Sequence, residues 1–116
     1  MAVNIYDAAY DLEKAIRQSD EYARLQNMYQ AVYADEGARK MFEGFRDLQL
    51  KLQEKQMMGQ EITQQEMDEA QKTVGLVQQN LKIAQLMEAE QQMSRVIAEL
   101  NQVIMKPLEE LYSSHQ

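Results

Sequence analysis

A short segment between two long helical stretches, residues 62–67, constrains the fold of this chain more than any other feature. Thr63 and Glu66 have the spacing of a capping box, in which the hydroxyl accepts a backbone hydrogen bond three residues on and the glutamate accepts one from the cap residue. Ile62 and Met67 occupy the two positions of a hydrophobic staple, which fixes the angle of entry into a helix. Gly59 is placed to end the preceding helix in a left-handed conformation. The segment therefore predicts the tip of a helical hairpin.

Helical periodicity extends along almost the whole chain. Asn4 and Ser19 are good N-caps for two short helices, and Asn80 is suited to start a fresh helix after the hairpin tip. The pattern predicts helices at about 4–17, 20–33, 36–58, 64–78 and 81–112. The pattern leaves open where one helix ends and the next begins near Gly37, and whether the last two helices are continuous. The final residues, 113–116, are expected to fray.

The last predicted helix carries the strongest apolar pattern in the chain. Its apolar residues recur at intervals of three, four and seven, as in a helix that packs in a bundle or coiled coil. Pro107 falls where the repeat requires another apolar residue, so a kink or an end to the packing is expected there. We call the following residues the apolar stripe and predict that they form a packing or oligomer surface: Met93, Val96, Ile97, Leu100, Val103 and Ile104.

Composition supports one all-α domain over residues 1–116. The chain has four glycines and one proline and is rich in Gln, Glu, Ala, Leu and Met, which lose little freedom in a helix. Two long helices bury too little surface in a monomer of this size. The predicted architecture is therefore a set of short N-terminal helices plus a long antiparallel hairpin, bundle-like and completed by homodimerisation or higher oligomerisation.

The formal net charge of −7 argues against nucleic acid and against anionic membrane surfaces as partners, because both require clustered Lys and Arg. The absence of cysteine excludes disulfides and thiolate metal sites and fits a reducing compartment. The first residues lack the features of a leader peptide, and no apolar run reaches membrane-spanning length. A cytoplasmic protein is expected.

Catalytic and metal-binding patterns do not emerge from the sequence. The single histidine, His115, lies next to the last residue, and no glutamate precedes a histidine by three residues as in di-iron bundles. Adjacent carboxylates such as Asp68 and Glu69 diverge on a helix and are interpreted as solvated. The four glycines are isolated, so there is no phosphate-cradling loop. We therefore expect no enzyme activity, no cofactor and no metal.

Tyrosines and methionines have two interpretations each. Five of the six tyrosines lie in the first third of the chain. They suit an interface, but they suit the half-buried flank of a small bundle better. The methionines, among them Met57 and Met58 at the predicted tip, are interpreted as core filler rather than as an adaptable binding surface.

Several segments in the same order resemble a known family. These segments are residues 6–12 (YDAAYDL), 16–22 (IRQSDEY) and 80–93, which contain the element MEAEQQM, followed by the apolar residues of 95–104. Together they resemble the YheA-like branch of the YlbF/YmcA family of small all-helical bacterial regulatory proteins. The resemblance covers nearly the whole chain. Its individual motifs are helical patterns and caps rather than ligand sets.

The resemblance implies an oligomeric, non-catalytic regulatory or adaptor role. Two branches of the family form a complex with a third protein that supports RNA maturation by the endoribonuclease RNase Y, and through it competence, sporulation and biofilm development. The better-studied branches carry cysteines implicated in iron–sulfur cluster binding. This chain has none, so the cluster is not carried over and membership in that complex is placed in doubt.

The leading hypothesis is thus a helical interaction protein that associates with itself, and with other proteins, through the apolar stripe. The alternative is an RNA-processing cofactor that contacts nucleic acid directly, against which the acidic charge weighs. A third hypothesis, a small-molecule sensor with a pocket among the N-terminal tyrosines, is supported by composition alone.

Overall fold

Five α-helices make up the secondary structure of the chain in a computed structural model that describes residues 3–115. They are α1 (Ile5–Arg17), α2 (Asp20–Ala34), α3 (Glu36–Met57), α4 (Gln64–Gln79) and α5 (Leu81–Ser114). The described residues contain no strand. The all-α prediction is confirmed, and each helix begins and ends within two residues of its predicted bounds.

Side-chain caps explain why the helices begin where they do. The Asn4 side chain accepts hydrogen bonds from the backbone of Tyr6 and Asp7, each at 3.1 Å. The Ser19 hydroxyl accepts one from the backbone N–H of Tyr22 at 3.2 Å. Each bond satisfies a donor that the first turn of a helix would otherwise leave free.

At both junctions left open by the sequence, one helix ends and a separate helix begins. Asp35 is extended and caps α3 by accepting from the backbone N–H of Ala38 at 3.1 Å, so the break precedes Gly37. Asn80 is also extended, and its side chain accepts from the N–H of Ile83 at 3.1 Å. Helices α4 and α5 are therefore separate elements. At the C-terminus, Ser113 and Ser114 are helical rather than frayed, while the expectation for Gln116 lies outside the described residues.

The described residues gather into two compact units. One unit is Gln26–Met87, and the other combines the described parts of Met1–Leu25 and Glu88–Gln116. The first unit holds α3, α4 and the adjoining parts of α2 and α5, and α3 packs against α4 as a hairpin. Whether the chain acts as one domain stays a prediction. The core of the first unit consists of Val32, Ala38, Phe42, Phe45, Val77, Ile83 and Leu86.

The second unit has a much smaller core. Of its described residues, only Ala89 and Met93 are buried, both on α5, and α1 has no buried residue at all. Arg24 ties α2 to α5 in this unit, donating to the Gln92 side chain at 2.5 Å and lying 3.7 Å from a carboxylate oxygen of Glu88. The apolar faces of α1 and of the distal half of α5 are consequently left largely uncovered.

Candidate interaction surface

The apolar stripe on α5 becomes more exposed to solvent towards the C-terminal end of the helix. Met93 is 9% exposed, while Val96 and Leu100 are half-buried. Ile97 is 38% exposed, and the exposed fractions of Val103 and Ile104 are 69% and 59%. The same helical periodicity thus includes residues packed by the chain itself and residues that face solvent. The stripe residues nearest the helix C-terminus are the ones available to a partner.

The uncovered surface continues beyond the predicted stripe. Leu108 and Leu111 are exposed and follow Ile104 at intervals of four and three, so they lie on the same face of the helix. Leu111 lies seven residues after Ile104, so the spacing of both leucines extends the predicted stripe towards the end of the helix. We call Ile97, Ile104, Leu108 and Leu111 the distal face of α5.

Pro107 lies inside α5, and the helix continues past it to Ser114. Every described residue from 101 to 115 is exposed. Packing by the chain's own residues therefore ends at Leu100, two turns before the proline, rather than at the proline itself. Since proline lacks an N–H, the carbonyl of Val103 loses its helical partner without interrupting the distal face.

Helix α1 presents a second uncovered apolar face. Ile5 is 72% exposed, and Leu12 and Ile16 are only half-buried. Two small residues, Ala8 and Ala9, share this face and permit close approach of another helix. We call Ile5, Ala8, Ala9, Leu12 and Ile16 the α1 face.

An open groove runs along the α1 face. It has a volume of about 300 Å³ and is lined by Ala9, Leu12, Glu13, Ile16, Arg17 and, from α2, Tyr22. Glu13 and Arg17 form an exposed ion pair at 3.8 Å on its edge. The groove is therefore apolar at its floor and charged at its rim, as is common at protein interfaces.

The hairpin tip has the geometry of a rigid turn. Gly59, with φ 71°, ends α3 in a Schellman motif: its N–H donates to the carbonyl of Gln56 at 3.2 Å, and the N–H of Gln60 donates to that of Lys55 at 2.8 Å. Both hydrogen bonds of the capping box are present, from Glu66 N–H to Thr63 Oγ1 at 3.1 Å and from Thr63 N–H to Glu66 Oε1 at 3.0 Å. Of the two staple residues, Ile62 is half-buried and Met67 is exposed.

Glu66 also joins the two arms of the hairpin. Its carboxylate oxygens lie 2.6 and 2.5 Å from Lys55 Nζ, and both side chains are largely shielded from solvent. The hydrogen bond from Lys55, followed by that from the Thr63 backbone, lowers the pKa of Glu66 to about 2. Glu66 is thus a structural carboxylate that stays charged, which is unsuitable for proton transfer near neutral pH.

An aromatic cluster in the hairpin unit was not predicted as a unit. The Phe42 ring meets Tyr29 and Tyr33 edge-on, with centroid separations of 6.1 and 6.4 Å. Arg46 lies 4.8 Å from the centroid of Phe42 and donates a hydrogen bond to the Tyr29 hydroxyl at 3.0 Å. Of these tyrosines, Tyr29 is half-buried, as the structural interpretation above expects, while Tyr33 is 44% exposed. Tyr6 and Tyr10 on α1 are more exposed still.

No chemistry-bearing cluster competes with these surfaces among residues 3–115. Within that range, no three His, Cys, Asp or Glu side chains are placed to hold a metal ion. None of the helices in the described part of the chain is long and apolar enough to span a membrane. His115 lies in a turn at the exposed end of α5. The interaction surface is therefore the site that the geometry supports best.

Comparisons with a family model and with known proteins point to the same family. A family model described as control of competence regulator ComK, YlbF/YmcA, matches residues 5–109. YheA of Bacillus subtilis strain 168 is 68% identical over 114 residues, which cover 98% of this chain and 97% of that protein.

Solved structures agree with this relationship. A protein of unknown function from Bacillus stearothermophilus superposes with a TM-score of 0.88 at 49% identity, covering 97% of this chain and 98% of the other. A chain from the Bacillus subtilis complex of RicA with RicF gives a TM-score of 0.69 at 19% identity, covering 97% and 99%, which shows a shared fold. Because the family model spans most of the sequence and close relatives match it from end to end, this chain belongs to the YlbF/YmcA family.

Proposed function

We propose that this protein is a non-catalytic helical interaction module that self-associates and acts, through other proteins, in the control of a competence regulator. The observation that carries the proposal is the increase in solvent exposure along the apolar stripe, from the buried Met93 to the exposed Ile104. A contiguous exposed apolar surface on a small acidic protein is a hallmark of an interaction site.

Two comparisons support the regulatory part of the proposal. The family description names control of a competence regulator. A protein of the same fold was solved as a complex of RicA with RicF, so this helical framework is compatible with protein partners. The formal net charge of −7 weighs against direct contact with nucleic acid, since neutralising phosphates requires clustered cations.

The self-association is tested by light scattering over a dilution series of the wild type and of Leu100→Glu. We expect the wild type to have at least a dimer mass at high concentration and the variant to be monomeric, because a buried unpaired charge is costly. Gln102→Glu is the matched control, since it adds the same charge at an exposed position on the opposite side of α5. A compact wild-type monomer at every concentration would contradict the proposal.

The choice between protein and nucleic-acid partners is tested separately. Affinity purification from the native host with wild-type and Leu100→Glu protein should recover a partner only with the wild type. A gel shift with RNA whose midpoint moves steeply with salt would instead favour the RNA-processing alternative.

A further inference from the structure

We propose that the distal face of α5 is covered by α1 of a second copy of this chain, packed parallel to it, and that the exchange is reciprocal. This inference rests on the proposed self-association and names the element that serves as the partner. It concerns only the unit that contains α1 and the distal half of α5.

The first argument is that the two uncovered faces match in length and character. The α1 face extends from Ile5 to Ile16 and the distal face from Ile97 to Leu111, which at about 1.5 Å per residue correspond to roughly 17 and 21 Å. The α1 face includes two alanines, whereas the distal face consists of bulky branched residues. Small residues opposite large ones allow two helices to approach closely.

The second argument is the area that the exchange would bury. An exposed aliphatic side chain carries on the order of 100 Å² of apolar surface, and aromatic side chains carry more. Each copy contributes both faces in a two-fold pair, and the exposed Tyr6 lies at the edge of the α1 face. The sum is roughly 500 to 800 Å² from each copy, which approaches the area of a stable protein interface. Contact between two distal faces alone would bury only about half as much.

The third argument is charge, which favours the parallel direction. The last turn of α1 contains Lys14 and Arg17, whereas the last turn of α5 has no basic residue and follows the acidic pair Glu109 and Glu110. Arg17 lies 12 residues after Ile5, and Glu109 lies 12 residues after Ile97. Parallel packing therefore brings Arg17 to the acidic pair. In the antiparallel direction, with Ala9 opposite Leu108, Arg17 would instead lie opposite Leu100, nine residues before Glu109.

Disulfide mapping tests the arrangement cleanly because the chain has no cysteine. Ala9→Cys protein is mixed with Asn101→Cys protein, or with Leu108→Cys protein, and oxidised under mild conditions. Each chain carries one thiol, so every disulfide joins two copies. In the parallel arrangement Ala9 lies near Asn101 of the partner, and in the antiparallel arrangement it lies near Leu108. We expect the Ala9–Asn101 disulfide to exceed the Ala9–Leu108 disulfide at least tenfold by mass spectrometry, because a disulfide forms only when the Cα atoms are within about 7 Å.

Controls on the opposite faces of the same helices give the background. Lys14→Cys mixed with Gln102→Cys should give little mixed disulfide, since both residues are exposed and point away from the proposed contact. Light scattering of each mixture before oxidation reports whether the copies associate at all.

The outcomes separate this inference from the proposed function. Association without the Ala9–Asn101 disulfide, or with disulfides only between identical variants, overturns the α1 exchange and leaves self-association standing. A dominant Ala9–Leu108 disulfide overturns the parallel direction. A monomeric wild-type protein overturns the self-association and the exchange together.

Discussion

The same substitution at two glycines is expected to change stability in opposite directions. Gly59 ends α3 with φ 71°, and Gly44 lies in the interior of the same helix. A Cβ atom added at either position meets no atom within 4 Å. Steric clash therefore contributes at neither site, and backbone conformation alone sets the sign of the effect.

The magnitudes follow from conformational free energies. An L-residue in the left-handed region costs about 1–2 kcal/mol, which the stiffer unfolded chain of the alanine variant partly offsets. Gly59→Ala should therefore lower the free energy of unfolding by about 1 kcal/mol. Replacing a glycine inside a helix by alanine raises stability by about 0.5–1 kcal/mol, so Gly44→Ala should stabilise. The two variants should differ by about 2 kcal/mol.

Urea denaturation followed by circular dichroism measures both variants at one protein concentration. Both glycines belong to the unit Gln26–Met87, outside the proposed interface, so self-association should contribute equally to all three proteins. We expect unchanged urea dependence, with the midpoint lower for Gly59→Ala and higher for Gly44→Ala. A Gly59→Ala protein as stable as the wild type, or a Gly44→Ala protein less stable, would refute the reasoning.

Three further predictions concern the core, the hairpin tip and the interface. Leu86→Ala should lower the free energy of unfolding by about 2–5 kcal/mol because Leu86 is fully buried, whereas Leu81→Ala, at an exposed position, should change it little in the same denaturation assay. Glu66 has a pKa lowered from 4.5 to about 2, so its ionised form stabilises the fold above pH 4.5 and that stabilisation is lost as the pH falls towards 2. Melting temperatures of Glu66→Gln should therefore decline less than those of the wild type between pH 5 and 2, and an equal decline would contradict the assignment. Ile104 is 59% exposed, so Ile104→Ala should remove roughly 1 kcal/mol of association free energy per copy and weaken a dimer about 30-fold, as measured by sedimentation, with Gln102→Ala unchanged.

The order of helices and most of their ends could be predicted because the signals are local. A capping side chain such as Thr63 or Asn80 bonds to a backbone N–H three residues away, so its effect is encoded within a single turn. The two breaks differ in how clearly they were marked. Asp35 caps α3, so a helix begins here. The sequence marks this boundary less clearly than the one at Asn80, because apolar residues continue at helical spacing across Gly37.

The candidate surface could be predicted only in part. Periodicity placed Met93 and Ile104 on one face of one helix, and it could not distinguish the buried residue from the exposed one. The cluster of Tyr29, Phe42 and Arg46 joins residues on two different helices, and they can meet only because the helix is interrupted at Asp35. Cover and clustering depend on neighbouring elements, which a periodic pattern does not specify.

Caps, glycine placement and apolar spacing were sufficient to determine five helices and the hairpin turn, because each depends on interactions within a few residues. Tertiary structure decided which parts of those helices are covered. Packing buries the first turns of α5 at Ile83 and Leu86 and leaves Ile104 and the α1 face open to solvent. The physical reason is that burial arises from contacts between segments distant in sequence, and in this chain those contacts end before α5 does.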